Sequence, residues 1–200
     1  MITTLKPWFM RQLTPALVAT AFFMENLPGT VLATALPQMG KSFHISPADP
    51  NIGMTAYLLM LAVFIPISGW VADRVGARSV FVSAIAIFTV SSILCGLSNS
   101  ILAFTAARVL PGIGGAMMVP VGRLVVLRTT EKHNLMEAIA YITWPALVAP
   151  VVGPPVGGYI TTYFSWHWIF FLNVPLGVIG IALSFLWIPN LREDKMKPFD

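Results

Sequence analysis

The stretch AFFMENLPGTVLATALP, Ala21 to Pro37, sets a carboxylate, Glu25, inside an apolar run and follows it with the helix-weakening pair Pro28-Gly29. Neither feature suits the interior of a helix surrounded by water or lipid. The rest of the chain identifies the solvent. Of 200 residues, 56% are hydrophobic and 10% are charged, with a mean hydropathy of +0.79, whereas soluble domains carry about 25% charged residues. A core of this size cannot absorb so much apolar surface, so the excess faces lipid.

Runs long enough to cross a bilayer, about 20 residues each, occur six times. They fall near residues 13–37, 51–72, 79–97, 101–127, 136–160 and 166–188. The apolar runs are too long for barrel strands, and lipid tolerates no open sheet, so the expected fold is an all-α bundle of six transmembrane helices over residues 1–190. Residues 191–200 read as a charged cytoplasmic tail. The first run is too long for a signal peptide and has no small-residue cleavage site. Charge sets the orientation. Lys6, Arg11, Arg74, Arg78, Arg123, Arg128, Lys132, Arg192, Lys195 and Lys197 fall on one side and Lys41 alone on the other. That bias places both termini in the cytoplasm.

The basic residues are dispersed between apolar runs, which argues against a nucleic-acid partner. His44, His133 and His167 lack metal-ligand spacing, and the single Cys95 forms no internal disulfide. No nucleophile–base pair suited to an enzyme is visible, and no cofactor is called for.

Two charges lie deep inside spans. Glu25 lies about 18 Å into the first and Arg108 about 11 Å into the fourth, at 1.5 Å per residue. Placing either near the bilayer centre costs at least about 2.5–3.5 kcal/mol. An offset of 83 residues lays LPGTVLATALP (Leu27–Pro37) over LPGIGGAMMVP (Leu110–Pro120) and Glu25 over Arg108, the echo expected of an inverted three-plus-three repeat. Two readings stand. In one, Glu25 and Arg108 form a structural ion pair. In the other, Glu25 is a protonatable carboxylate on a pathway, its proton affinity set by desolvation against the guanidinium of Arg108. Pro28-Gly29 then fits a helix lining a cavity, where freed backbone groups are tolerated.

The chain also resembles the major facilitator superfamily. GWVADRVGARS carries Gly69, Asp73, Arg74, Gly76 and Arg78 in the pattern of that family's loop after the second span. ARVLPGIGGAMMVPVGRL carries Arg108, Gly112, Gly114 and Gly115 in its fourth-span pattern. APVVGPPVGG, with Pro150, Gly153, Pro154, Gly157 and Gly158, is similar to the fifth-span motif of antiporter branches. TVLATALP and SWHWIFFLNVPLG are similar to drug:proton antiporters of fourteen helices. The resemblance implies an N-terminal six-helix half of an inner-membrane exporter of drugs or small amphipathic molecules, driven by the proton gradient and partnered by a missing C-terminal half. It implies that the loop after the second span latches the two halves, and that the fifth-span motif contacts the missing half and blocks leak. Asp73 is expected near the N-terminus of the third helix, paired with Arg74 or Arg78, with lipid phosphates as the arginines' other partners. Trp166 and Trp168 read as membrane-border anchors.

Two positions depart from the family pattern. Pro28 stands where an Asp is usual and Pro111 where a Gln is usual, which leaves Glu25 as the acidic residue well inside a span. The alternatives are a proton-coupled importer of a metabolite and a truncated membrane component that does not transport.

Overall fold

The computed structural model describes the backbone of residues 5–188 and side chains from Leu13 onward. The side chains of Lys6 and Arg11 and the expected tail over 191–200 lie outside the described residues. Regular structure among the described residues is helical: α1 (Leu5–Phe43), α2 (Asn51–Val75), α3 (Ala77–Gly96), α4 (Ile101–Thr129), a 3₁₀ turn (Lys132–Asn134), α5 (Leu135–Tyr163), α6 (Trp168–Phe171) and α7 (Asn173–Trp187). Six stretches are long and apolar enough to cross a membrane, the last formed by α6 and α7 together.

The helices begin and end where local chemistry dictates. α1 runs past Pro37 to Phe43 and is closed by His44 at φ 56°, with the Ile45 N–H donating to the carbonyl of Gly40 at 3.0 Å. This is the six-to-one bond that satisfies a helix's terminal carbonyls. Gly76 alone joins α2 to α3. Its φ of 105° excludes a side chain without strain, and its N–H donates to the Ala72 carbonyl at 2.9 Å. The Ser100 side chain accepts from the Ala103 N–H and caps α4.

Packing follows the repeat. α1 lies mainly on α5, and α4 on α2 and α3; α1 also meets α4 at the centre, and α3 meets α7. Exchanging the first three spans for the last three turns the α1–α5 contact into the α4–α2 contact. Two apolar clusters result. One, toward the termini, contains Leu17, Phe22, Phe81, Phe88, Val121 and Val125. The other, toward the opposite face, contains Val31, Leu32, Cys95, Phe104, Trp166 and Phe170. α2 and α5 are the most exposed spans.

Glycine governs how closely α1 and α5 approach. A β-carbon on Gly157 would strike the Thr34 side chain and come within 2.9 Å of Val31 Cγ1 and 3.0 Å of the Val31 carbonyl oxygen. One on Gly158, a residue later, would meet nothing within 4 Å. Gly157→Val is expected to cost about 1–3 kcal/mol by overpacking, read as a lower thermal midpoint in detergent. Gly158→Ala leaves the midpoint unchanged or slightly higher, because alanine favours the helix.

Candidate functional site

The clusters meet along a seam, and the internal charges lie on it. On α1 the buried positions pass from Met24 in one cluster to Leu27 in the other, with Glu25 between them. On α4 the corresponding interval runs from Ala107 to Met118 and includes Arg108 and three glycines. Glu25 is half-buried and rests against Gly115. A β-carbon there would lie 3.3 Å from Glu25 Cγ and 3.4 Å from its Oε1. A glycine of the fourth-span motif thus makes the recess that the carboxylate occupies.

Arg108 is 2% exposed. Its guanidinium carbon sits 4.6 Å from the ring centroid of Tyr57 on α2, a cation–π contact. Its Nε and Nη2 have no hydrogen-bond partner, and neither does Thr105 Oγ1, one turn earlier on the same helix. Gly53 of α2 admits the Arg108 stem and the ring of Phe104 side by side. Tyr57 is itself 8% exposed. Among the described residues, no ion pair joins Glu25 to Arg108.

The structure therefore places Glu25 and Arg108 on one seam, Glu25 against Gly115 and Arg108 against Tyr57. Sequence reading missed Tyr57. Its only signal was a phenol near the start of an otherwise apolar span, and helix faces cannot be assigned from that alone. Chemically the arrangement offers a half-buried carboxylate and, on the neighbouring central helix, buried guanidinium donors with no protein acceptor.

The loop motif is also resolved. Asp73 Oδ1 accepts from Arg128 Nη2 of α4 at 2.9 Å. The expected partners, Arg74 and Arg78, stack instead on Trp70 at 4.8 Å and Phe185 at 5.9 Å. Gly69 has open space where a side chain would go. In the fifth-span motif, Gly153 and Gly157 pack on Thr30, Val31 and Thr34 of α1, while Pro150 and Pro154 are exposed and Gly158 faces open space. The motif thus splits into a face turned toward α1 and a face turned out of the bundle. A lateral apolar crevice of about 570 Å³ runs between α1, α5 and α7, with Phe23, Tyr141, Trp144 and Leu176 in its walls; neither Glu25 nor Arg108 lines it.

Over residues 18–199 the chain matches the Major Facilitator Superfamily. Among curated proteins, the "Putative multidrug resistance protein MdtD" of Salmonella paratyphi B is 44% identical over 174 residues, which is 87% of this chain and 37% of that protein. The proteins of the same name from Salmonella heidelberg and Salmonella typhimurium match at the same identity and coverage. The chain therefore spans 37% of the length of these relatives.

The orphaned donors of Arg108 make a stability prediction that separates the two readings of this residue. Arg108→Met removes buried groups whose desolvation is uncompensated, each worth about 1–3 kcal/mol. Its thermal midpoint in detergent is expected to stay level or rise. A fall of several kcal/mol would mark Arg108 as a structural tie.

Proposed function

The chain belongs to the major facilitator superfamily, and on that ground we propose that it is the N-terminal six-helix half of a proton-coupled exporter of drugs or small amphipathic molecules. The observation that carries this reading is the seam. A half-buried carboxylate and a fully buried guanidinium, two of whose nitrogens have no hydrogen-bond partner, sit on the two central helices, at the boundary between two apolar blocks. A span tolerates that cost where the groups face a water-filled path. The names of the relatives support drug efflux as the task.

In this reading Glu25 is the proton carrier. Protonation neutralises it in its recess against Gly115, and deprotonation restores its charge. Arg108 presents donors to whatever enters: water, a proton relay or an anionic group of the substrate. No resident cofactor is needed, because the proton gradient supplies the energy. The second half of the transporter packs on the exposed faces of α2 and α5, with Pro150, Pro154 and Gly158 on that surface, and alternating access is the rocking of the two halves about the seam. The loop with Gly69, Asp73, Arg74, Gly76 and Arg78 forms the latch between halves at the terminal face. The excess of arginine and lysine on that face supports a cytoplasmic location for both termini, in the inner membrane.

The test is Glu25→Gln in the full-length protein. Efflux driven by an imposed pH gradient is expected to fall at least tenfold, while the amount inserted in the membrane stays unchanged. Reversing the gradient reports direction, since an importer accumulates substrate under the sign that an exporter uses to expel it. Undiminished efflux removes Glu25 from the mechanism.

A further inference from the structure

At the face away from the termini, the connection from α5 to α6 is tied into the bundle by one side chain. Gln38 of α1 accepts from the Trp166 backbone N–H through Oε1 at 2.7 Å. Its Nε2 donates to the carbonyls of Thr161 at 3.2 Å and Phe164 at 3.3 Å. Those carbonyls end α5 and have no partner within their own helix, so Gln38 is a C-terminal cap delivered from a different helix. Both kinds of group on the amide are used, which neither Glu nor Ala can reproduce.

The residue held in this way is not a border anchor. Trp166 is 0% exposed, whereas Trp168 is 55% exposed. The Trp166 indole N–H donates to Ser42 Oγ at 3.3 Å. Its ring stands edge-on to Phe43, Phe104 and Phe170, with centroids 5.4, 5.9 and 6.1 Å away. His167 stacks on it at 3.8 Å, accepts or donates at Nδ1 to Ser165 Oγ at 2.6 Å, and is hydrogen-bonded to the backbone at Ser98 in the α3–α4 connection. Burial holds this imidazole below its ordinary range, against the opposing pull of the Ser98 bond. One loop therefore grips the ends of α1 and α3 together.

Beneath Trp166 lies Phe104, and beside Phe104, against Gly53, lies the stem of Arg108. Cys95, the only cysteine and 0% exposed, belongs to the same apolar cluster as Trp166 and Phe104. Trp166 and Phe104, edge-on to each other, lead from the loop to the stem of Arg108.

We propose that Trp166 is a plug closing this half-bundle to the aqueous phase at the face away from the termini, and that Gln38 is the positioning residue that holds the plug shut. Loss of the Gln38 bonds frees the loop, lifts the indole off Phe104 and admits water toward Arg108. The plug rests on the pathway reading of Arg108 only for its consequence in transport; the closure itself rests on the contacts above.

Cys95 provides the readout. The full-length protein, with Cys95 as its sole cysteine, is reconstituted in one orientation in sealed lipid vesicles, and a membrane-impermeant maleimide is added from each side in turn. Wild-type Cys95 is expected to be unreactive from both sides. In Gln38→Ala it should label at least tenfold faster from the face bearing the α5–α6 connection, and no faster from the terminal face. Gln38→Glu, which keeps the acceptor and loses the donors, should fall between the two. Unchanged labelling in Gln38→Ala overturns the proposal, as does an equal rise from both faces, which is the signature of general loosening. Should Gln38→Ala fail to insert, Trp166→Phe, which keeps a ring and loses the indole, is expected to raise one-sided labelling severalfold, and no rise overturns the proposal. Because no transport is measured, failure here leaves the role of Glu25 standing, and failure of the Glu25 test leaves the plug standing.

Discussion

A guanidinium buried among lipid-embedded helices with donors that no protein acceptor meets is the constraint around which this bundle is arranged. Lipid offers no water to repair such a group, so the surrounding helices must either satisfy it or hold open a space that does. Here the ring face of Tyr57 supplies part of the compensation and the rest is left unmade. Arg108 is admitted where apolar packing is already interrupted, between a block around Phe22, Phe81 and Phe88 and a block around Phe104, Trp166 and Phe170. The glycines of α4 keep that interruption narrow. Gly112 lets the α2 backbone approach at Tyr57, Gly114 does the same for α3 at Ala84 and Phe88, and Gly115 receives Glu25. Charge and small residues occur together because close helix approach is what brings three elements within reach of one cation.

Much of this was legible in the chain. Membrane spans announce themselves by length and composition, and Glu25 and Arg108 stand out because charge is rare inside such spans. The neighbours of those charges were not legible. α5 is apolar nearly all round, so its sequence gives no clue that Gly153 and Gly157 turn toward α1 while Pro150 and Pro154 turn away. Asp73 and Arg128 are 55 positions apart, and nearer arginines at 74 and 78 offered an equally plausible pairing that stacking on Trp70 and Phe185 pre-empted. Trp166 misled for a general reason. A tryptophan next to a span end has the same composition signature whether it floats at the headgroups or is folded back under a loop, and only the position of Gln38 on another helix decides between them. Gln38 and Ser42, four residues apart, place their contacts with the loop on one face of α1.

The two faces of the half-bundle are closed by different physics, and the difference has mechanical consequences. At the terminal face, α2 and α4 are bridged by an Asp73–Arg128 pair with side chains 40% and 27% exposed. An ion pair so wet contributes at most about 1 kcal/mol and weakens with salt. It opens and re-forms at little cost. At the opposite face the closure is aromatic, dry and held by neutral hydrogen bonds at the end of α5. Salt does not screen it, and its bonds have no competing water until the indole has moved. A bundle fastened in this way is stiff at one end and adjustable at the other. Because α1 carries both Glu25 and Gln38, any motion of its outer half is transmitted to the carboxylate through a stretch that Pro28 and Pro37 have each deprived of a backbone bond. The weakened stretch lies between the buried carboxylate and the glutamine that holds the α5–α6 connection, where a helix that only had to span the membrane would have no reason to place it.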